Sequence, residues 1–360
     1  MKKVVLSVAA LFVGAIAFAQ FNNSEVQQIG DGNTSAVGQT GLSNDSYVEQ
    51  VGDGNDSSVD QVGTTNESVV WQSQGFLFGN RNNNTSSVEQ NGTSNDSFVW
   101  QDGDDNESSV NQNGTTNDSY VDQWGNNNES SVAQSGTSNN SLVLQGYNGN
   151  NHSSSVSQSG NNNDSSVFQT GDGNDSEVIQ IGNNNDSDVD QIGMGNESTV
   201  WQTGNDNDST VLQIGDNNDS FVWNDGNDNL SDVFQNGDNN SSYVDQWGNN
   251  NFSDVDQLGD GNTSQVFQGY IGSGNSSIVL QDGDDNTSFV FQQGNDNIST
   301  VDQIGDENTS SVGQNGFLNN SDVNQTGNLN TSSVSQTGNN HMSLVNQVGN
   351  GNGSIVTQSN

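Results

Sequence analysis

One eleven-residue pattern, S-x-V-x-Q-x-G-x-x-N-x, repeats thirty times from Asn22 onward, and it constrains the fold more than any other feature of the chain. The valine and the serine occur in all thirty units, and the glutamine is replaced once, by Asn224. The asparagine gives way to histidine twice, at His152 and His341. Self-similarity at a short fixed period is typical of a solenoid, in which each unit packs on its neighbours.

The spacing within one unit predicts a five-residue β-strand followed by a tight turn. Ser, Val and Gln at positions i, i+2 and i+4 point to one face of an extended strand, and no carboxylate occupies a fixed position of the pattern in any unit. Gly tolerates positive φ, and Asn either adopts the left-handed conformation or hydrogen-bonds the nearby backbone. An eleven-residue repeat also suits a supercoiled helix. That alternative is disfavoured because every three turns would contain a Gly and several Asn and Ser residues.

A weaker period of 22 residues indicates that two units form one coil. The residue before the valine alternates between large and small in Tyr47, Ser58, Val69, Ser87, Phe98, Ser109, Tyr120, Ser131 and Leu142. We therefore predict an all-β, two-sheet β-solenoid, cross-β and amyloid-like, with about fifteen 22-residue coils of two 11-residue strand-turn units each. The solenoid is expected over residues 20–360, with insertions near 73–85, 146–153 and 269–276.

Identical residues of successive coils should stack into columns along the solenoid axis. Buried valine alone is too little to offset the conformational entropy of so polar a chain, so backbone ladders and stacked Ser, Gln and Asn side chains must contribute. Unpaired strand edges at both ends then predict self-association into fibres. The first units supply these candidate ladder residues: Ser24, Val26, Gln28, Gly30, Asn33, Ser35, Val37, Gln39, Ser46, Val48, Gln50, Asn55, Ser57, Val59 and Gln61.

The N-terminal residues 1–19 are typical of a cleaved secretory signal peptide. Lys2 and Lys3 precede an apolar run that ends in a small-x-small site before Gln20, and no second candidate membrane span follows. Without this leader, Arg81 is the only basic residue against 45 carboxylates. Such a charge disfavours nucleic-acid binding and favours cations, including divalent cations bound without a built site.

Catalysis has little support in this composition. The chain has no cysteine, its two histidines are far apart, and its serines repeat at one position in every unit. We expect no enzyme, no cofactor and no metal site. Asp-rich turns such as residues 52–56 leave open a monomeric calcium-binding or ice-binding β-solenoid or adhesin as the alternative function.

The tryptophans are expected on the outer surface. They form an adhesive stripe for sugars, or they cover the sheets and pack between filaments: Trp71, Trp100, Trp124, Trp201, Trp223 and Trp247. Part of the set is duplicated, because residues 97–100 recur as 220–223 and residues 120–124 recur as 243–247. The offset of 123 residues corresponds to eleven units plus two residues.

The string Gln28-x-Gly30-x-x-Asn33-x-Ser35-x-x-x-Gln39 resembles the curlin repeat, Q-x-G-x-x-N-x-A-x-x-x-Q, with Ser in the place of Ala. The similarity extends over essentially the whole repeat region, although these units are more uniform and more acidic than the family pattern. The resemblance implies an amyloid-like extracellular fibre on the surface of a Gram-negative bacterium. It also implies export through the periplasm, dedicated export and nucleation accessory proteins, and a role in cell adhesion and biofilm matrix.

Overall fold

The computed structural model describes residues 21–72, 83–146 and 149–360, and it shows an all-β solenoid in that part of the chain. The predicted fold class is therefore confirmed. The proposed signal peptide, most of the 73–85 insertion with Arg81, and two residues of the 146–153 insertion lie outside the described residues. Within the described ranges no helix is long and apolar enough to cross a membrane.

Thirty strands make up the described chain, and each corresponds to one repeat unit. They are β1 (Asn23–Ile29), β2 (Thr34–Leu42), β3 (Asp45–Val51), β4 (Asp56–Thr64), β5 (Glu67–Gln72), β6 (Thr85–Thr93), β7 (Asp96–Asp102), β8 (Glu107–Thr115), β9 (Asp118–Trp124), β10 (Glu129–Thr137), β11 (Asn140–Gln145), β12 (Ser153–Asn161), β13 (Asp164–Asp172), β14 (Asp175–Asn183), β15 (Asp186–Met194), β16 (Glu197–Asn205), β17 (Asp208–Ile214), β18 (Asp219–Asn227), β19 (Leu230–Asn236), β20 (Ser241–Trp247), β21 (Phe252–Leu258), β22 (Thr263–Gln268), β23 (Ser276–Asp282), β24 (Thr287–Asn295), β25 (Ile298–Ile304), β26 (Thr309–Phe317), β27 (Asn320–Thr326), β28 (Thr331–Asn339), β29 (Met342–Val348) and β30 (Gly353–Ser359).

Odd-numbered strands form one 15-stranded sheet and even-numbered strands form the other. We call them the odd sheet and the even sheet. All pairings are parallel, and each repeat position faces its own copy, as Val167 faces Val189. The insertions do not shift this register, since Val59 still faces Val88 and the glycines and glutamines stay aligned.

The turns differ in two ways from the sequence-based expectation. Strands contain six to nine residues rather than five, because many of them continue through the glycine of the pattern. The left-handed residue is not the pattern's asparagine but the residue before it, as at Ser43 (φ 57°), Thr65 (φ 55°) and Ser94 (φ 56°). Of the two roles expected for the asparagine, the left-handed conformation is wrong, and the hydrogen bond to nearby backbone is confirmed, as described below.

The interior is a narrow layer between the two sheets. Twenty-seven of the pattern's valines are no more than 5% exposed and form one continuous apolar column. Val26 in the first coil is 43% exposed, because within the described residues no coil covers it. Serine, glutamine and asparagine of the pattern fill the rest of the interior, so more than half of this core is polar.

Candidate functional site

Glutamine side chains form a hydrogen-bonded column inside each sheet. In the odd sheet, each amide Nε2 donates to Oε1 of the glutamine in the following coil, from Gln28 to Gln50 (2.7 Å) through Gln325 to Gln347 (2.8 Å), without a break. The second N–H crosses the coil to a backbone carbonyl, as Gln50 Nε2 donates to Thr34 O at 2.8 Å. Both amide protons are therefore used, and every bond along the column points in the same direction.

At each turn, the glycine and the asparagine of the pattern form a second set of contacts with the following coil. These contacts explain the spacing G-x-x-N. Asn33 Nδ2 donates to the carbonyl oxygen of Gly52 in the following coil (2.7 Å), and the backbone N–H of Asn55 donates to Asn33 Oδ1 (3.0 Å). The same carbonyl of Gly52 fills the space that a Cβ on Gly30 would need. Gly30 has φ +124°, which also favours glycine. Gly30 thus gives the following coil room to approach, and Asn33 holds it there.

The serines stack in columns as expected, since Ser165 faces Ser187, but most of their hydroxyls in the described chain form no hydrogen bond. In most coils the buried Oγ has no hydrogen-bond partner among the described residues, as at Ser46, Ser57 and Ser187. A hydroxyl presents a single oxygen, so neighbours one strand spacing apart, about 4.8 Å, are too distant to bond. A glutamine amide spans the same spacing because its donor and acceptor lie on different atoms. Serine therefore contributes to the core through its small size.

Asn224 interrupts the glutamine column of the even sheet, and two serines compensate for it. Its shorter side chain cannot bridge the coils, so Gln202 Nε2 donates to Ser209 Oγ at 2.9 Å instead. Asn224 Nδ2 also donates to Ser209 Oγ, at 3.0 Å. The hydroxyl of Ser231 lies 2.9 Å from Asn224 Oδ1 and 2.9 Å from Gln246 Oε1. These two serines are exceptions in their column, because only they face a shortened amide.

His152 replaces an asparagine within its column and is 1% exposed. Its backbone N–H donates to Asn128 Oδ1 at 3.0 Å, and its Nδ1 accepts from the backbone N–H of Asn174 at 3.3 Å. Burial lowers the pKa of His152, so the neutral ring that can accept this bond is favoured. The two histidines belong to different parts of the rod, and the described residues contain no cluster of three potential metal ligands.

The candidate ladder residues lie in the first two coils of the described rod, at one of its ends. Ser24, Val26 and Gln28 lie in β1, which is exposed along its whole length. The second unit, in β2, is half-buried. From β3 to β29 the Ser, Val and Gln of the pattern are buried, as for Ser46, Val48, Gln50, Ser57, Val59 and Gln61, and Asn55 is buried as well. Gly30 and Asn33 lie in the turn that joins β1 to β2.

The outer faces carry the carboxylates and the aromatic rings. Burial between neighbouring coils raises the pKa of Asp122, Asp245 and Asp254 to about 6 in each case. Aromatic side chains stack along the rod on both sheets, as Phe98 stacks on Tyr120 at 4.9 Å between ring centroids. The interior thus repeats one chemistry, whereas the outer surface varies from coil to coil.

Comparison with known proteins is consistent with this architecture. The family model of the curlin associated repeat matches more than half of the chain, in nine segments: residues 22–52, 82–114, 104–136, 125–160, 160–193, 182–215, 226–259, 283–316 and 305–338. A search of the curated proteins found no match.

Proposed function

The chain belongs to the curlin-repeat family, and from this premise we propose that it is a secreted structural subunit that self-assembles end to end into curli-like extracellular amyloid fibres. Its role in such a fibre is mechanical, in cell adhesion and biofilm matrix, and involves no catalysis. Residues 1–19 direct its export through the periplasm, and dedicated accessory proteins complete export and nucleation. These parts of the proposal rest on the resemblance of the repeat to the family.

The observation that carries the proposal is the complementarity of the two ends of the described rod. At one end Gln28 Oε1 and Gln39 Oε1 face no earlier described coil, and each is an acceptor. At the other end Gln347 Nε2 and Gln358 Nε2 donate to backbone carbonyls of their own rod, at 3.0 and 2.8 Å, and each keeps a second N–H. A second copy stacked head to tail would therefore continue both columns with the bonds already used inside.

The backbone edges are complementary in the same sense. Thr331 N–H donates to Asn352 O in the following coil at 2.8 Å, and Thr331 faces Gly353 in the register of β28 and β30. Parallel strands alternate the direction of their backbone groups, so Gly353, Ile355 and Thr357 direct theirs away from β28. An open edge of this kind is a template for another strand.

The test is fibre formation by the purified chain across salt concentration and pH, followed by thioflavin fluorescence, electron microscopy and fibre diffraction. We expect unbranched fibres with a reflection near 4.8 Å along the fibre axis, the strand spacing of a cross-β assembly. A chain that keeps its β-sheet circular dichroism yet stays monomeric under all of these conditions would refute the proposal.

A matched pair of variants tests the direction of assembly. Ile355→Pro with Thr357→Pro removes two N–H groups that point to the open edge and leaves the pairing of β28 with β30 in place. We expect this double variant to fold but to elongate seeds at least tenfold more slowly. Ile355→Ala with Thr357→Ala keeps the N–H groups and should elongate normally. Equal rates for the two variants would show that this edge does not recruit the next subunit.

A further inference from the structure

Two aromatic clusters with the same composition lie on opposite faces of the rod. The first, on the odd sheet, contains Phe98, Trp100, Tyr120 and Trp124, and the second, on the even sheet, contains Phe221, Trp223, Tyr243 and Trp247. The duplication offset spans eleven units, an odd number, so each residue moves from one sheet to the other. We call these the odd-face cluster and the even-face cluster.

The duplication is preserved in three dimensions. In the odd-face cluster, Phe98 and Tyr120 stack with ring centroids 4.9 Å apart and planes at 7°, and in the even-face cluster Phe221 and Tyr243 do so at 5.0 Å and 7°. The tryptophan pairs also agree. Trp100 and Trp124 are 5.8 Å apart at 44°, and Trp223 and Trp247 are 5.6 Å apart at 45°.

Each cluster adjoins one aspartate. Asp122 lies between Trp100 and Leu144 in the register of the odd sheet. Asp245 lies between Trp223 and Phe267 in the even sheet. In both residues Oδ1 is buried and has no hydrogen-bond partner among the described residues. An unpartnered buried carboxylate oxygen is costly, so a positive charge beside either aspartate would be stabilising.

A cavity of about 280 Å³ adjoins the first aspartate. Its lining residues are Asp122, Trp124, Leu144, Gln145 and Phe168. The residues 123 positions further on are Asp245, Trp247, Phe267, Gln268 and Phe291, so the second copy repeats the acid, the indole and the amide and has aromatic rings at the other two positions. The volume suits a small molecule rather than a folded partner.

The charge of the protein selects the ligand class. The described residues contain no Lys or Arg that could pair with these aspartates. Anions are repelled by a chain with 45 carboxylates. Aromatic walls with a carboxylate are the usual environment of alkylated ammonium groups, which bind by cation–π attraction and charge pairing. A neutral sugar could stack on the same rings but would leave the carboxylate charge unpaired.

We propose that each chain binds two small organic cations of the alkylated ammonium class, one beside Asp122 and one beside Asp245, on opposite faces of the rod. The aromatic rings supply contact with the alkyl groups, and the aspartates supply the opposite charge. This binding does not require assembly, so it can be measured on monomer or fibre and is independent of the proposed structural role.

The direct test is titration of the purified chain with choline, followed by tryptophan fluorescence and calorimetry. We expect saturable binding of two equivalents. The neutral isostere 3,3-dimethylbutan-1-ol should bind at least tenfold more weakly, because it has the shape without the charge. Equal binding of the isostere, or tighter binding of a neutral oligosaccharide than of choline, would overturn the proposal.

Variants separate this site from general attraction to an acidic surface. Asp122→Asn should remove one of the two equivalents, and Asp122→Asn with Asp245→Asn should remove both. The matched control is Asp302→Asn, since Asp302 occupies the same repeat position on the odd sheet but faces Leu280 and Asn324 rather than aromatic rings. Circular dichroism verifies that each variant is folded. A loss of affinity in the control equal to that in the double variant would identify the binding as non-specific.

Discussion

The inner and outer faces of the same strands follow opposite rules. In β9, Ser119, Val121 and Gln123 point inward, are fully buried and are the same types found in nearly every unit, whereas Tyr120 and Asp122 between them point outward and change from coil to coil. The inner face must match its neighbours atom by atom, because each coil is the template of the next. The outer face has no such requirement and is free to carry charge or binding groups. The following predictions test how strict this division is, beginning with the largest expected effect.

Two glycines at the turns of adjacent coils should differ most in their response to substitution. A Cβ at Gly193 would overlap the carbonyl of Gly215 in the following coil, whereas a Cβ at Gly173 has no atom within 4 Å. Gly193→Ala should destabilise the rod by more than about 4 kcal/mol, since backbone cannot yield as a side chain does. Gly173→Ala should cost about 1 kcal/mol for its positive φ alone. Urea unfolding followed by circular dichroism measures both, and similar midpoints would contradict the division.

Removing one rung of a glutamine column is the next largest change. Gln191→Met keeps the volume but leaves Gln169 Nε2, Gln213 Oε1 and the carbonyl of Asp175 without their partner. The expected cost is about 3 kcal/mol, at roughly 1 kcal/mol for each buried group. The adjacent outward residue provides the control, because Ile192→Thr should change stability by less than about 0.5 kcal/mol. A smaller loss for the inner variant than for the outer one would be contrary to the column's role.

Lowering the pH should raise the free energy of unfolding through carboxyl groups on the outer face, without changing the interactions of the inner face. The pKa values of Asp122, Asp245 and Asp254 are about 6 in the folded rod and therefore lie above the usual value of 3.8. Their contribution is fully present below pH 3.8 and is lost as the pH rises through 6. These residues are only partly buried, so each contributes no more than about 1 kcal/mol.

Urea midpoints at pH 4.5 and 8 would measure this effect. The wild-type chain should be more stable at the lower pH, and the triple variant with Asn at all three positions should show a smaller difference between the two conditions. A wild-type chain that is most stable at pH 8 would contradict the sign of the effect.

Repairing the natural defect should give the smallest change. Asn224→Gln restores a column in which Gln202 and Gln246 face a full-length amide, and we expect a gain of about 1 kcal/mol. Asn224→Ala is the opposite control and should destabilise, since Ser209 and Ser231 would lose their partner. If Asn224→Gln were destabilising, the hydrogen bonds of the two serines would have to stabilise the rod more than a continuous glutamine column does.

The fold could be predicted from the sequence because the repeat period directly encodes strand, turn and register. Spacing alone places Ser, Val and Gln on one face, and the 22-residue alternation assigns units to two sheets. The family resemblance also indicates that the serine position requires a small residue, since the family pattern has the equally small Ala at this position.

The atomic roles could not be predicted, because they depend on distances that a pattern does not contain. Nothing in the letters shows that the left-handed residue is Ser43 rather than Asn44, or that Ser209 and Ser231 bond while Ser187 does not. One signal in the sequence could have indicated the aspartate sites, namely the recurrence of Asp-Gln-Trp 123 residues apart. Counting the eleven intervening units would have assigned the copies to opposite faces.

That odd count has an evolutionary consequence. A gene that lengthens by copying whole units preserves the interior columns, because the inner face of nearly every unit carries the same residues. Copying an even number of units repeats a surface on the same side, whereas copying an odd number transfers it to the reverse side. A single recombination event can therefore convert a one-sided filament into a two-sided one, with no new residue to be selected.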